Sequence, residues 1–534
     1  MDALTEPAPR KRRFRLRHGI AACCLMLLLS YGWSMADTYS GLPHRPRDCV
    51  VRQAAAPPEP DRPPSGPAGP SWLIQAGGTV NDASCLNRTA VYGVARPATE
   101  ADLRTALAFA TEQGLRVSLS GTRHSMGGQA ADPGALVVDL RGFDRIAVDT
   151  GAATARVGAG VTWRQVLEAV HGRGLAVAAM PSIDVLSVGG TIAANAHGAD
   201  FRTGSLASTV RSLRVMLADG SVHTLDREHR PDLFHAVIGG YGLLGVIVEA
   251  ELALVPGELY RLDQRVIATT AFPDHFRDHV QADESTRLMY AHLSTSPDSL
   301  LAETVVYSYR RVDDRGEPVP PLRSDQDSAA GRFLFNLARH GGPAMWLKWA
   351  GQRDLLPRVR QCQVPRNEAL RAAEACLVSR NQAMYNDLAL LRHKLPQHTD
   401  VLQEYFLPHD RLVPFLQAAA ETLRAHDAVL MNASIRVVHA EPILLDYAQG
   451  ERFSVVLYLS QRVSDDGNRD MADLTRALVA GALEHGGTFY LPYQQHYTRT
   501  DVARAYPALE EFFALKRRHD PGLLFMNGFY RRYA

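Results

Sequence analysis

Gly121-Thr122-Arg123-His124-Ser125-Met126-Gly127-Gly128 and Ser187-Val188-Gly189-Gly190-Thr191-Ile192-Ala193-Ala194-Asn195-Ala196-His197-Gly198 decide how the chain is read. The first string follows Leu115–Leu119, whose alternating apolar and polar residues predict a strand. Its glycines let backbone amides approach an anion closely, and consecutive amides can form a phosphate-binding nest. The small side chains of the second string suit a segment that lies flat against a large planar ligand. Taken alone, each string reads equally well as a tight turn with an incidental histidine. The two on one chain are more telling.

Outward from these loops the chain alternates strand and helix. Thr99 caps a helix with Asp102 as capping-box partner, and Gly114 ends it. Ala135–Leu140 reads as a second strand. Thr162 and Gln165 repeat the capping-box pattern and open a helix that stops near Gly172 and Gly174. Val210–Ala218 and Ser221–Leu225 flank Asp219-Gly220, a strong hairpin signal. Val246–Val255 alternates as a long strand and Pro256-Gly257 closes it. Residues 81–257 thus read as one α/β unit. Beyond it come a charged, Pro-rich loop at Asp313–Asp327 and an apolar helix-like segment from Phe333 to Trp349. That segment suits either core packing or a face resting on a membrane, and packing is the commoner use.

A third glycine string, Gly240-Tyr241-Gly242-Leu243-Leu244-Gly245, spells G-x-G-x-x-G. A dinucleotide fingerprint follows a strand and opens a helix. Here a helix-like segment, Asp232–Ile238, precedes and a strand follows, which excludes nicotinamide binding through this motif. Walker A, G-x-S-x-G and H-E-x-x-H strings are missing, so those NTPase and hydrolase routes lack their signatures. Outside the N-terminal apolar run the cysteines are Cys49, Cys85, Cys362 and Cys376, with no CxxC pair or Cys/His cluster, and no metal site is expected. Lys and Arg number 58 against 57 Asp and Glu. Six of the basic residues crowd into the first 36, leaving a slightly acidic body with no footprint for nucleic acid.

Those six, Arg10, Lys11, Arg12, Arg13, Arg15 and Arg17, lead into Gly19–Ala36, 18 residues without a charge. That length crosses a hydrocarbon core as a helix. The positive-inside rule keeps the basic flank in the cytoplasm and puts the body outside it. Ser34-Met35-Ala36 looks like a cleavage site, but the run is long for a signal peptide, so an uncleaved anchor is favoured over an exported soluble form. Seven prolines between Pro57 and Pro70 then make an extended spacer.

With both glycine loops, the sequence resembles the FAD-binding oxidoreductases of the vanillyl-alcohol-oxidase type, which carry a PCMH-type FAD domain. Aldonolactone and alditol oxidases are the nearest named relatives. The resemblance runs from Asn81-Asp82-Ala83-Ser84-Cys85-Leu86-Asn87 to His519-Asp520-Pro521 and Phe525-Met526-Asn527, a match to the family's closing D-P and F-x-N. It implies an α+β chain, which follows the basic tail at 1–18, the anchor or signal helix at 19–36 and the spacer at 37–78 read above. A two-subdomain FAD-binding domain follows at 79–258, then an α+β substrate cap at 259–485 and a segment at 486–534 that returns to the FAD domain. It also implies FAD as cofactor, linked through the flavin 8α-methyl to His124. Cofactor contacts carried over by motif fall on Gly121, Thr122, Arg123, His124, Ser125, Gly127 and Gly128 in the first loop. They fall on Ser187, Val188, Gly189, Gly190, His197 and Gly198 in the second, then on Gly242, Gly245, Val246, Ile247 and Asn527.

In the substrate half the alditol oxidases carry Glu-x-Arg on a strand facing the flavin and a lysine on a later strand. Here Ser434-Ile435-Arg436 keeps the arginine without the carboxylate, and His485 to Tyr493 contains no lysine. The resemblance implies oxidation of a CH–OH group in a sugar-derived alcohol or lactone, with oxygen or a redox carrier as electron acceptor. Arg436 suits stabilisation of a forming alkoxide. Glu404, Tyr493 and His496 are the candidate bases, although a structural hydrogen-bonding role is the commoner use of such residues. Two rivals stand beside this reading. One is a lipid-linked sugar oxidase of the decaprenylphosphoryl-ribose type, which shares the tail but usually lacks the linking histidine. The other is a flavin-bearing partner protein without turnover, suggested by the missing Glu and Lys.

Overall fold

The computed structural model describes residues 39, 70–312, 319–322, 329–355, 377–385, 393 and 395–534. The basic tail, the uncharged run Gly19–Ala36, most of the spacer and most of the Asp313–Asp327 loop lie outside them. Among the described residues no helix is long and apolar enough to cross a membrane.

Local signals set the first half. Helix Glu100–Glu112 starts at Thr99, whose side chain accepts from the Asp102 amide while Asp102 bonds back to the Thr99 amide. It ends where Gly114 takes φ +64° and the Leu115 amide returns to Ala110 O at 2.8 Å. Leu115 therefore closes the helix, and the strand begins two residues later, at Val117–Ser120. Helix Trp163–His171 uses the same box with Thr162 and Gln165. Asp219-Gly220 joins Val210–Met216 to Val222–Asp226 as an antiparallel hairpin.

Two sheets result. One orders Leu73–Ala76, Gly93–Ala95, Leu136–Asp139 and Val117–Ser120, the last three parallel. The other is antiparallel, with Val246–Pro256 at its centre between Val210–Met216 and Thr154–Gly158. The C-terminal tail returns to the first sheet: the Val117 amide donates to Leu524 O, and the Met526 amide to Val117 O.

The second half is built on an eight-stranded antiparallel sheet. It runs Leu377–Ser379, Leu259–Ala268, Glu303–Val312, Thr286–Leu293, Val429–Val438, Arg452–Arg462, His398–Leu407 and Thr488–Phe489. Helix Asp465–Glu484 covers one face, where Thr475 accepts from Gln403 Nε2 at 2.8 Å. Side chains alternate along a strand, so Glu404, next to Gln403, points to the other face.

The Phe333–Trp349 segment forms two helices rather than one, Ala329–Leu337 and Gly342–Ala350. Gly341 and Gly342 adopt φ +70° and +53°, and Pro343 follows, which ends one helix and starts the next. Phe335, Met345 and Trp349 are buried, whereas Trp346 and Leu347 are about half exposed, at 54% and 51%. Lys348 is buried between them and the sheet, donating to Thr295 Oγ1 at 3.1 Å and to Met431 O. Burial pushes its pKa down to about 7. An unfolded chain keeps that proton to about pH 10.4. Between the two values the unfolded state binds more protons than the folded one, so stability rises with pH there. Lys348→Met is expected to flatten this rise in a series of chemical-denaturation midpoints taken across that pH window.

Candidate functional site

The two glycine loops meet. Thr122 Oγ1 accepts from the Ser187 amide at 3.2 Å, and a Cβ on Gly121 would stand 1.9 Å from Ser187 Oγ. Leu119 to Gly128 form a continuous half-exposed stretch. Segments from both sides hold it: the Gly128 amide donates to Asp82 Oδ2 at 2.8 Å, Asn87 Nδ2 to Met126 O at 2.9 Å, and the Met126 amide to Pro492 O at 3.1 Å. Gly127 packs so closely that a Cβ there would lie 2.1 Å from Tyr493 O. Its lack of a side chain joins the first loop to the second half of the chain.

Each of the three glycine strings also holds a non-glycine residue in the left-handed region: Arg123 at φ +57°, Asn195 at +50° and Tyr241 at +52°. Such conformations cost about 1–3 kcal/mol apiece and gather at functional sites. Asn527 supports the third string from the tail. Its Nδ2 donates to Tyr241 O at 2.9 Å, and its Oδ1 accepts from the Tyr530 amide. Beside the first loop, Asp139 is shared by Arg141 and Arg96, with Arg123 at 3.9 Å. Burial alone would raise this carboxyl, but bonds from Arg141 and Arg96 outweigh it and hold the pKa below its ordinary value. Three guanidiniums around one carboxylate leave a local excess of positive charge.

At the end of the second loop, His197 Nε2 lies 2.6 Å from Glu404 Oε1, and both side chains are almost fully buried. Ser454 Oγ donates to the same oxygen at 2.5 Å, and Tyr493 OH to Glu404 Oε2 at 3.3 Å. Desolvation pushes the Glu404 carboxyl up, but His197, Ser454 and the Arg436 charge more than offset this and hold it below its ordinary value. An ionised carboxylate only accepts, so His197 Nε2 carries the proton of that bond. Arg436 pairs in register with Ser454 on the neighbouring strand, and its Nε is buried without a hydrogen-bond partner. Burial, with the Glu404 charge adding to it, raises the Tyr493 hydroxyl well above its usual pKa, against the opposing Arg436 charge.

His496 stands apart from this group. Burial, Arg532 and Arg476 push its pKa down to about 4, and Arg476 belongs to the helix on the far face of the sheet. Ser454, Tyr447 and Tyr490 were not foreseen as site residues. Tyr447 OH donates to Asn195 O and Tyr490 OH to Ala194 O, both at 2.8 Å, and their rings lie within 6.2 Å of His197. No motif marks these three.

Residues 91–226 match a family model described as an FAD binding domain. This part of the chain binds FAD. The decaprenylphosphoryl-beta-D-ribose oxidase of Mycolicibacterium smegmatis is 35% identical over 162 residues, 30% of this chain and 35% of that protein. Cytokinin dehydrogenase 2 of Oryza sativa subsp. japonica is 32% identical over 255 residues, 42% of this chain and 45% of that protein. Cytokinin dehydrogenase 2 of Arabidopsis thaliana is 32% identical over 165 residues, 30% of this chain and 33% of that protein. The chain thus spans less than half the length of these curated relatives.

The residues present fit FAD. In the second loop of the FAD-binding domain, Gly189 and Gly198 are buried against the chain, but Gly190 is exposed and Ala193, Ala194 and Ala196 are half-exposed. That leaves a smooth, side-chain-poor strip beside the half-exposed first loop. Ser120 Oγ at the start of the first loop, and Asn195 Nδ2 and His197 Nδ1 in the second, are buried polar atoms without a hydrogen-bond partner. The excess guanidinium charge beside Arg123 suits a pyrophosphate. Ser187 and Val188 are buried at the start of the second loop, and Thr122, His124 and Ser125 are half-exposed along the first. Gly242 is half-exposed too, whereas Gly245, Val246 and Ile247 are buried at the start of the central strand. Among the described residues no group of three His, Cys, Asp or Glu is placed to hold a metal ion.

Proposed function

We propose that the protein is an FAD-dependent oxidoreductase that oxidises a CH–OH group of a sugar-derived alcohol or lactone. The observation that carries this reading is the buried Glu404 carboxylate, held by His197 of the FAD-binding domain beside a buried, unpartnered Arg436 Nε. Bound FAD supplies the acceptor for the hydride that leaves the carbinol carbon. Glu404, ionised at neutral pH, accepts the hydroxyl proton at an oxygen. The Arg436 N–H donates to the donor oxygen as negative charge grows there. His197 and Ser454 hold the carboxylate in place through that transfer, and Tyr493 closes its second oxygen. The test is a dye-coupled screen of polyols, aldonolactones and polyprenyl-phosphate-linked sugars. Reduction of the dye by a polyol or lactone supports the reading. Activity confined to lipid-linked sugars supports that rival, and inertness throughout supports the partner protein without turnover.

His124 is assigned the covalent link to the flavin. Its place on the half-exposed first loop supports this: an imidazole nitrogen held there would bond the 8-methyl carbon as that carbon loses a proton, and the electron pair left on the flavin would pass to oxygen or the redox carrier. Acid-precipitated protein should therefore stay yellow, with the mass of FAD on the tryptic peptide that holds His124. Complete loss of the flavin to the acid supernatant overturns the link.

The body is assigned to the extracytoplasmic side of a membrane, with oxygen or a redox carrier taking the electrons. Cys85 is disulfide-bonded, which suits an oxidising compartment. A reporter that works only outside the cytoplasm, fused after Ala534, should be active. An inactive reporter on a stably produced fusion would place the body inside.

A further inference from the structure

We infer that the helix Gly342–Ala350 rests on the lipid surface, with Trp346 and Leu347 inserted at the level of the headgroups. This inference rests on the reading of Gly19–Ala36 as an uncleaved anchor. Tyr39 lies three residues beyond that run. It is seated on the same helical pair: Asn336 Nδ2 donates to Tyr39 O at 2.7 Å, and Tyr39 OH lies 2.6 Å from His340 Nε2. Its ring meets Phe333 edge to face, with centroids 5.9 Å apart. The chain therefore reaches the body from the apolar run at this pair of helices, and the membrane that holds the run faces the same side.

The surface offered there suits lipid. Trp346 and Leu347 are adjacent and more than half exposed, Gly342 and Pro343 are exposed beside them, and Leu334 and Leu337 are half-buried on the preceding helix. The sole charge on Gly342–Ala350, Lys348, points inward to Met431 O. An uncharged outer face with a tryptophan at its edge belongs to the membrane interface, where the indole ring is amphipathic. Exposed apolar side chains placed singly need no explanation, but these sit on the helical pair that seats Tyr39.

The test uses the full chain with Trp33→Phe, reconstituted into vesicles of phosphatidylglycerol and a phosphatidylcholine brominated near the glycerol end of its acyl chains. The other tryptophans, Trp72, Trp163 and Trp349, are buried, so Trp346 reports the surface. Bromine should quench the emission of this variant, and most of that quenching should vanish when Trp346→Phe is added. Flavin content checks that both variants are folded. Protein that floats with the vesicles while Trp346 stays unquenched, and open to acrylamide, overturns the inference alone. Protein that never joins the vesicles overturns the anchor reading with it.

Discussion

Arg436→Lys is expected to lower turnover about 10²–10³-fold with the FAD content unchanged, the usual cost of one donor aimed at developing charge. Arg436 stands opposite Ser454 in the strand register, and Ser454 in turn holds Glu404. Its Nε is buried with no partner, so that N–H is available to a donor oxygen. Lysine keeps the charge but lacks both the planar fork and the hydrogen at Nε. Because the cofactor loops lie on the other half of the chain, binding of FAD should not depend on this side chain. Flavin absorbance and turnover on the donor found by screening, measured on the same preparation, check both halves of the expectation. Unchanged turnover would remove Arg436 from the site.

Arg380→Ala should destabilise the protein by about 3–5 kcal/mol, the range for leaving one partner of a buried ion pair uncompensated. Arg380 and Asp200 are both about 95% buried. Asp200 follows the second glycine loop by two residues, and Arg380 follows the edge strand Leu377–Ser379 of the large sheet. The guanidinium also donates to Val177 O at 3.0 Å, Ala178 O at 2.7 Å and Tyr260 OH at 3.0 Å. Losing it opens the seam between the FAD-binding domain and the sheet that carries Glu404. Denaturation midpoints should fall, and the flavin absorbance should shift toward that of solvent-exposed flavin before global unfolding. The paired change Arg380→Met with Asp200→Asn should recover part of the loss, because no charge is then left buried. If the single variant is as stable as the parent, the seam is held by other contacts.

The first half of the fold was legible because its signals are local. Thr99 with Asp102, Thr162 with Gln165, and Asp219-Gly220 each fix a boundary within four residues. The glycine strings were legible for the same reason, although several of their glycines turn out to serve chain-to-chain packing, as Gly127 does against Tyr493. The substrate side was not readable in this way. Ser434-Ile435-Arg436 looked short of a carboxylate, yet the fold brings Glu404 alongside from another strand, through Ser454 on the strand between them. Strand order and register decide that meeting, and neither is written in a single sequence. His496 shows the converse: adjacency to Tyr493 in sequence places it near Arg476 and Arg532, away from Glu404. The break in the Phe333–Trp349 segment was marked by Gly341-Gly342-Pro343, a signal the apolar composition masked.

The central claim is that a CH–OH donor reduces the bound flavin at the Glu404 and Arg436 site. The most direct measurement is an anaerobic titration of the purified full chain, following the flavin absorbance and the carbonyl product together. One equivalent of a polyol or lactone is expected to bleach one equivalent of flavin, and deuterium at the carbinol carbon to slow the bleaching. Flavin that stays oxidised with every such donor, in protein whose FAD is reduced normally by dithionite, would contradict it.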